Sequence, residues 1–203
     1  MPAPPRQAPP HPSDVRLRVG LVAAVGLAVG CLTSFGQTYL GGALNAFVNS
    51  ASAWLVVPFA VGACMASVRG AGAAGLAVCG WQLAGYELTA HLRGFPALWS
   101  LIVFWAACAV VGGPVFGVGG RLWRAGRPDV RGLGAAVLAS VFLAEGLWLY
   151  IHELHYYTTA LIWIGIGTLV GGSLLHGLRE YRWLAVTLPL GLVGEVVLTR
   201  IHV

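Results

Sequence analysis

Seven stretches of this chain run for close to twenty positions each with few or no charged residues, at roughly 19–36, 53–68, 71–90, 97–120, 132–151, 158–177 and 183–200. That is the length an α-helix needs to cross the hydrocarbon core of a bilayer. Together they occupy about 140 positions, which leaves short connections, an N-terminal tail and no room for a second, soluble domain. The pattern predicts an all-α, polytopic membrane helix bundle of about seven transmembrane helices, forming a single domain over 17–203. The tail, MPAPPRQAPPHPSD, carries six prolines in its first twelve residues. Proline removes backbone donors and resists helix and sheet alike, so 1–16 reads as a disordered, Pro-rich cytoplasmic tail. The apolar run behind it is too long for a signal peptide and lacks a clean cleavage site.

Spans two, four and six share a layout. Trp54, Trp105 and Trp163 each precede a glycine step, at Gly62, Gly112 and Gly171, and then an arginine, at Arg69, Arg121 and Arg179. Each returning span carries one glutamate near its far end: Glu87, Glu145 and Glu195. Interfacial tryptophans and small packing residues are general membrane features; the recurring carboxylate is not. Three repeated helical hairpins after the first helix are therefore expected. Gly26/Gly30, Gly113/Gly117 and Gly167/Gly171 are GxxxG pairs that allow close backbone approach, and Pro114 is placed to kink span four.

Composition agrees with this layout. Hydrophobic residues make up 58% of the chain and charged residues only 9%, with mean hydropathy +0.79, against about 25% charged in a soluble domain. The net charge of +5 comes from arginines scattered along the chain, so there is no basic patch for nucleic acid. Placing the N-terminus inside puts Arg6, Arg16, Arg18, Arg69, Arg121, Arg124, Arg127, Arg131, Arg179 and Arg182 on the cytoplasmic side and only Arg93 and Arg200 outside. This asymmetry sets the expected topology in the cell (inner) membrane: N-terminus cytoplasmic, C-terminus outside. Cys31, Cys64, Cys79 and Cys108 lie in apolar runs without a CxxC pair and read as buried free thiols.

A carboxylate inside a bilayer costs a few kcal/mol, by order of magnitude, at the centre and less towards the interface, so three of them invite an explanation. Glu87 has His91 at i+4. Glu145 has Trp148, His152 and His155 at i+3, i+7 and i+10, one face of an α-helix. Glu195 has Thr199 and His202 at i+4 and i+7. The expected site is an outward-facing acidic pocket of Glu87, Glu145 and Glu195, with His91, His152 and His202 at its mouth, Gln82 turned into the bundle, and Trp148, Tyr150, Tyr156 and Tyr157 around the opening. Such a pocket suits a cation, a cationic solute or protons. The His152–His155 pair is not the HExxH of a metalloprotease, so the metal ligands stay unassigned. The uncharged connection 36–53, rich in Gln37, Asn45, Asn49, Ser50 and Ser52, reads either as a lid or re-entrant segment or as a surface loop ending in an N-cap at Asn49 or Ser50.

No GxSxG, phosphate loop or paired-aspartate motif is present, and no motif implies a cofactor. Two functions stay open: binding or transport of a small solute or cation, and a non-catalytic scaffold or partner subunit in contact with another membrane protein. The segments GCLTSFGQTYL (30–40), NSASAW (49–54), GPVFG (113–117) and FLAEGL (142–147) resemble a family of bacterial multi-pass membrane proteins of unknown function, typical of high-GC genomes. The absence of lysine fits that background. Size and small-residue content are similar to the substrate-binding subunits of energy-coupling-factor transporters, from whose six-span layout a seventh span departs. Both resemblances imply a membrane location, and neither supplies a functional residue.

Overall fold

The structure is a computed structural model that describes residues 12–127 and 129–202, with side chains for 16–127 and 129–201. Most of the Pro-rich tail and the His202 side chain lie outside the described residues. The chain forms α1 (Pro12–Tyr39), α2 (Gly42–Val48), α3 (Ala51–Ala63), α4 (Val68–Leu92), α5 (Trp99–Ala125), α6 (Arg131–Glu145), a π-helical segment (Gly146–Glu153), α7 (Tyr157–Leu174), α8 (Leu178–Tyr181) and α9 (Leu184–His202). Helix α1 thus begins inside the stretch expected to be disordered. Pro12 sits in its first turn, where the missing N–H has no partner to lose.

Among the described residues five helical stretches are long and apolar enough to cross a membrane: Arg16–Tyr39, Trp99–Ala125, Arg131–Glu153, Tyr157–Leu174 and Leu178–Ile201. Helices α2 and α3 meet at 51° and make a sixth if taken as one broken span. The third expected span is α4, long enough at 25 residues but less apolar, because glycines, Gln82, Glu87, Thr89 and His91 interrupt it. It packs on α1, α3 and α5, so much of its surface meets protein rather than lipid.

Burial is inverted relative to a soluble protein. Leu32, Val103, Leu161 and Leu190 are exposed, while Ser50, Ser52, Gln82, Glu145 and Glu195 are buried. An apolar shell around a polar interior is what a bilayer solvent selects. The four cysteines are free; only Cys79 is buried, and Cys64 is exposed, so burial does not hold for the set.

Helices α1, α3, α4 and α5 form one group and α6, α7 and α9 a second, joined mainly through α5 against α6. Small residues set the spacing. A side chain at Gly117 would run into the Ala71 carbonyl, one at Gly62 into Gly117, and one at Gly75 into Gly113, so α3, α4 and α5 cross backbone to backbone. The Gly26/Gly30 pair does the same for α1 against Gln82 and Tyr86 of α4. Gly167 meets the Leu143 side chain and Gly171 the Ala139 methyl at 3.6 Å, a looser contact.

The hairpin layout holds for α3/α4 and α5/α6, which pack as neighbours. The third pair departs from it: α7 and α9 each lie against α6 rather than against one another. Helix α6 is buried along much of its length by Gly132, Gly134, Ala135, Ala136, Ala139 and Ala144, so it accepts a helix on either side. Arg131–Glu180 (3.5 Å) ties α8 to the start of α6.

The 36–53 connection is largely helical. Asn45 lies in α2 and Asn49 caps its end; the Asn45 amide donates to the Gln37 and Leu40 carbonyls, and Gln37 bridges Asn49 (2.6 Å) and the Tyr86 hydroxyl (2.7 Å). These amides hold the end of α1 to α2 and α4. Nearby, the Arg93 guanidinium donates to the Ser34 carbonyl and to Thr38 Oγ1, and lies over the rings of Phe35 and Phe95.

Candidate functional site

The site is built on the break between α2 and α3. Ser50 is the N-cap of α3, its hydroxyl accepting from the Ala53 N–H at 3.2 Å. A helix start leaves backbone N–H groups unpaired and carries partial positive charge. Helix α6 ends on Glu145 directly against it. Glu145 Oε2 accepts from Ser50 Oγ (2.8 Å) and from the Ser52 N–H (3.0 Å). The Ser50 and Ser52 hydroxyls lie 2.8 Å apart, and the Trp163 indole N–H of α7 donates towards both, at 3.3 and 3.2 Å. The donors satisfy one another in a chain from indole to hydroxyls to carboxylate. Glu145 is 1% exposed and Trp163 fully buried.

Glu195 of α9 completes the cluster. It is 4% exposed and lies one turn past Gly191, which packs on Ala144, between the Ser140–Thr187 hydroxyl contact (2.6 Å) and Thr199, so α9 carries it on the face that meets the Glu145 end of α6. Tyr150 is buried beside Trp163, with ring centroids 4.8 Å apart. Among the described residues no donor reaches the Glu195 carboxyl. One turn on, Thr199 accepts from the Trp148 indole N–H at 3.2 Å, and Trp148 stacks on His152 at 4.3 Å between ring centroids.

Two of the three expected glutamates therefore meet. Glu87 does not join them; with His91 it lines an open cleft of about 440 Å³ between α4 and α5, together with Gly80, Leu88 and Trp99. Of the helical face expected for Glu145, Trp148, His152 and His155, Trp148 bonds Thr199 of α9, one turn past Glu195, and stacks on His152. The backbone over these residues is π-helical, with more residues per turn than an α-helix. His152 is largely exposed beside Glu153. His155 occupies the turn after the segment with φ 58°, a left-handed conformation in which histidine is enriched. Among the described residues no group of three or more His, Cys, Asp or Glu is placed to hold a metal ion.

Gln82 has a specific structural task. Pro58 inside α3 lacks the N–H that would bond the Trp54 carbonyl, and Gln82 Nε2 donates to that carbonyl at 3.3 Å instead. Its Oε1 is buried without a protein partner. Gln82→Leu is expected to destabilise the protein by about 1 kcal/mol, the worth of one internal hydrogen bond. Pro58→Ala should remove most of that penalty, because residue 58 then supplies the donor. A double-mutant cycle on thermal unfolding in detergent measures the coupling; additivity would show that the two residues act separately.

Ser50, Ser52 and Trp163 are members of the site that the sequence reading did not place in it, and Tyr150 lies in its buried core and not at its opening. Trp163 reads as an interfacial tryptophan by position, and Tyr150 as a residue of the opening. The Ser-x-Ser start of α3 carries the one available signal, a helix N-cap within an uncharged segment.

Fold and site together define a polytopic membrane protein of helical architecture, with a carboxylate pair buried against the start of a broken helix. The chain belongs to a family of unknown function (DUF6518), whose profile matches residues 9–202. Neither the curated proteins nor the solved structures contain a match.

Proposed function

We propose that this integral membrane protein binds a small cation or cationic solute at the Glu145–Glu195 pair, on a path that opens to the outer side. The observation that carries the reading is two buried glutamates, from α6 and α9, on the faces where these helices pack together. Among the described residues no arginine forms an ion pair with either one. Buried charges are usually paired with an opposite charge; two acids facing each other supply a place for a positive ligand instead. Purified protein titrated with sodium, potassium, guanidinium and tetramethylammonium at several pH values tests this by thermal stabilisation. A saturable rise in Tm, reduced in Glu145→Gln and Glu195→Gln, is the expected result. An identical response in all three proteins, flat to every cation and unchanged by pH, would remove the reading.

A partner-subunit role is the second reading, favoured by one feature. Ala73, Ala77, Gly80 and Ala84 form an exposed small-residue stripe on α4 that leads to Glu87 and His91. Such a stripe suits close approach of a helix from another chain. Ala77→Trp would then disrupt assembly without touching the carboxylate pair.

The arginine distribution supports a topology with the α1 start and the α5–α6 connection on the cytoplasmic side. In a cysteine-free background, a thiol introduced at Gly42 is expected to react with an impermeant reagent from outside, and one at Gly126 only after permeabilisation. The opposite pattern would invert the topology.

A further inference from the structure

The two carboxyls of the pair are not equivalent. Glu145 is held by donors: the Ser50 hydroxyl and the Ser52 N–H close on one of its oxygens, and the start of α3 places partial positive charge beside it. Every one of those groups offers a proton and no lone pair to a ligand, except through hydroxyls already engaged with Trp163 and with each other. Glu195 has none of this. The residue is 4% exposed, no donor among the described residues reaches its carboxyl, and the packing of Gly191 on Ala144 and of Thr199 on Trp148 sets it against the Glu145 end of α6.

The remaining charged groups on the elements packed against α9 lie elsewhere. Arg131 of α6 pairs with Glu180. His152 and Glu153 of the π-helical segment are turned outwards beside each other, and Arg200 on α9 itself is exposed. Two adjacent buried carboxyls do not both keep a negative charge without a compensating cation. The partner already supplied with donors is the one suited to stay ionised.

We propose that Glu195 is the exchanging member of the pair and that its ligand is the proton, with Glu145 held as the fixed anion. This rests on the cation-binding reading above and narrows it. No bond other than O–H is made or broken: the proton enters onto a Glu195 oxygen from water and returns to water. A metal cation fits less well, because it needs several oxygen lone pairs, and the donors around Glu145 leave few besides those of the carboxyls themselves.

The test uses the full chain in detergent or lipid. Dicyclohexylcarbodiimide reacts with protonated carboxyls in apolar surroundings, and peptide mapping locates the adduct. Modification is expected on Glu195 rather than Glu145, falling as pH rises and lost in Glu195→Gln. In infrared difference spectra after a pH jump, the band of a protonated carboxyl is expected to disappear in Glu195→Gln and to persist, with a displaced midpoint, in Glu145→Gln. Because the carbodiimide mapping is done on the wild-type protein, it does not depend on any variant folding. An adduct on Glu145, or an infrared band lost only in Glu145→Gln, would overturn the assignment while leaving the pair as the site. Protection by sodium or potassium at fixed pH, with no pH dependence, would overturn the proton as ligand and keep the cation-binding reading. No effect of pH or any cation on either residue would remove both.

Discussion

Glu145→Ala is expected to destabilise the protein by about 3 kcal/mol, the cost of leaving several buried donors unsatisfied at once. The substitution strips the acceptor from the Ser50 hydroxyl and the Ser52 N–H and leaves the start of α3 facing a void inside the bundle. The Trp163 indole, which bonds those same hydroxyls, loses its fixed geometry with them. Glu145→Gln keeps an acceptor oxygen at the same reach and should cost less. Glu195→Gln should cost least, about 1 kcal/mol or below, because no donor among the described residues attends that carboxyl. Thermal unfolding of the three variants in one detergent gives the ranking. A Glu195→Gln protein less stable than Glu145→Ala would contradict the division of the pair into a held and a free carboxyl.

A valine at Gly117 is expected to cost about 3 kcal/mol, the upper range for overpacking, or to prevent folding. Its Cβ would meet the Ala71 carbonyl, and the Gly75 Cα lies only 3.2 Å from the same point. These are backbone atoms, so the strain cannot be relieved by turning a side chain. On the other side of the same crossing, Gly62 of α3 packs on Gly117 itself, and the substitution would therefore separate three helices rather than two. Gly172 provides the contrast: nothing lies within 4 Å of a Cβ built there. Gly172→Ala should be neutral or stabilise by up to about 1 kcal/mol through helix propensity. A Gly117→Val protein as stable as Gly172→Ala would contradict close backbone packing at Gly117.

Much of this architecture was legible in the chain. Five of the seven apolar stretches coincide with helices long and apolar enough to span, α1, α5, α6 with its π-helical extension, α7 and α9, since hydrophobic length is dictated by the bilayer and needs no tertiary information. The second reaches that length only as the bent pair α2–α3, and the third, α4, is long but interrupted by polar residues. An N-cap at Asn49 or Ser50 was one of two readings the sequence offered, because a cap is a local preference of side chain for backbone, and the structure has it at Ser50. Buried glutamates in apolar stretches announced themselves by cost. Gly26/Gly30 and Gly113/Gly117 were recognisable as contact points, though not the surfaces they would meet.

The sequence by itself determined that the chain is a membrane helix bundle, where its helices run and which polar residues require an explanation. These follow from local periodicity and from the solvent, both of which act residue by residue. Only the tertiary structure decided which polar residues share a site. The π-helical segment after Glu145 was not foreseeable from spacing; it leaves His155 in the turn beyond it, while Trp148 bonds Thr199 of α9 and stacks on His152. The docking of α9 on α6 rather than on α7 brings Glu195 to Glu145, whereas Glu87 faces the cleft between α4 and α5. Partners such as Ser50 and Glu145 stand 95 positions apart. Their meeting depends on how small-residue surfaces of several helices fit together, and no spacing along one strand of sequence encodes that fit.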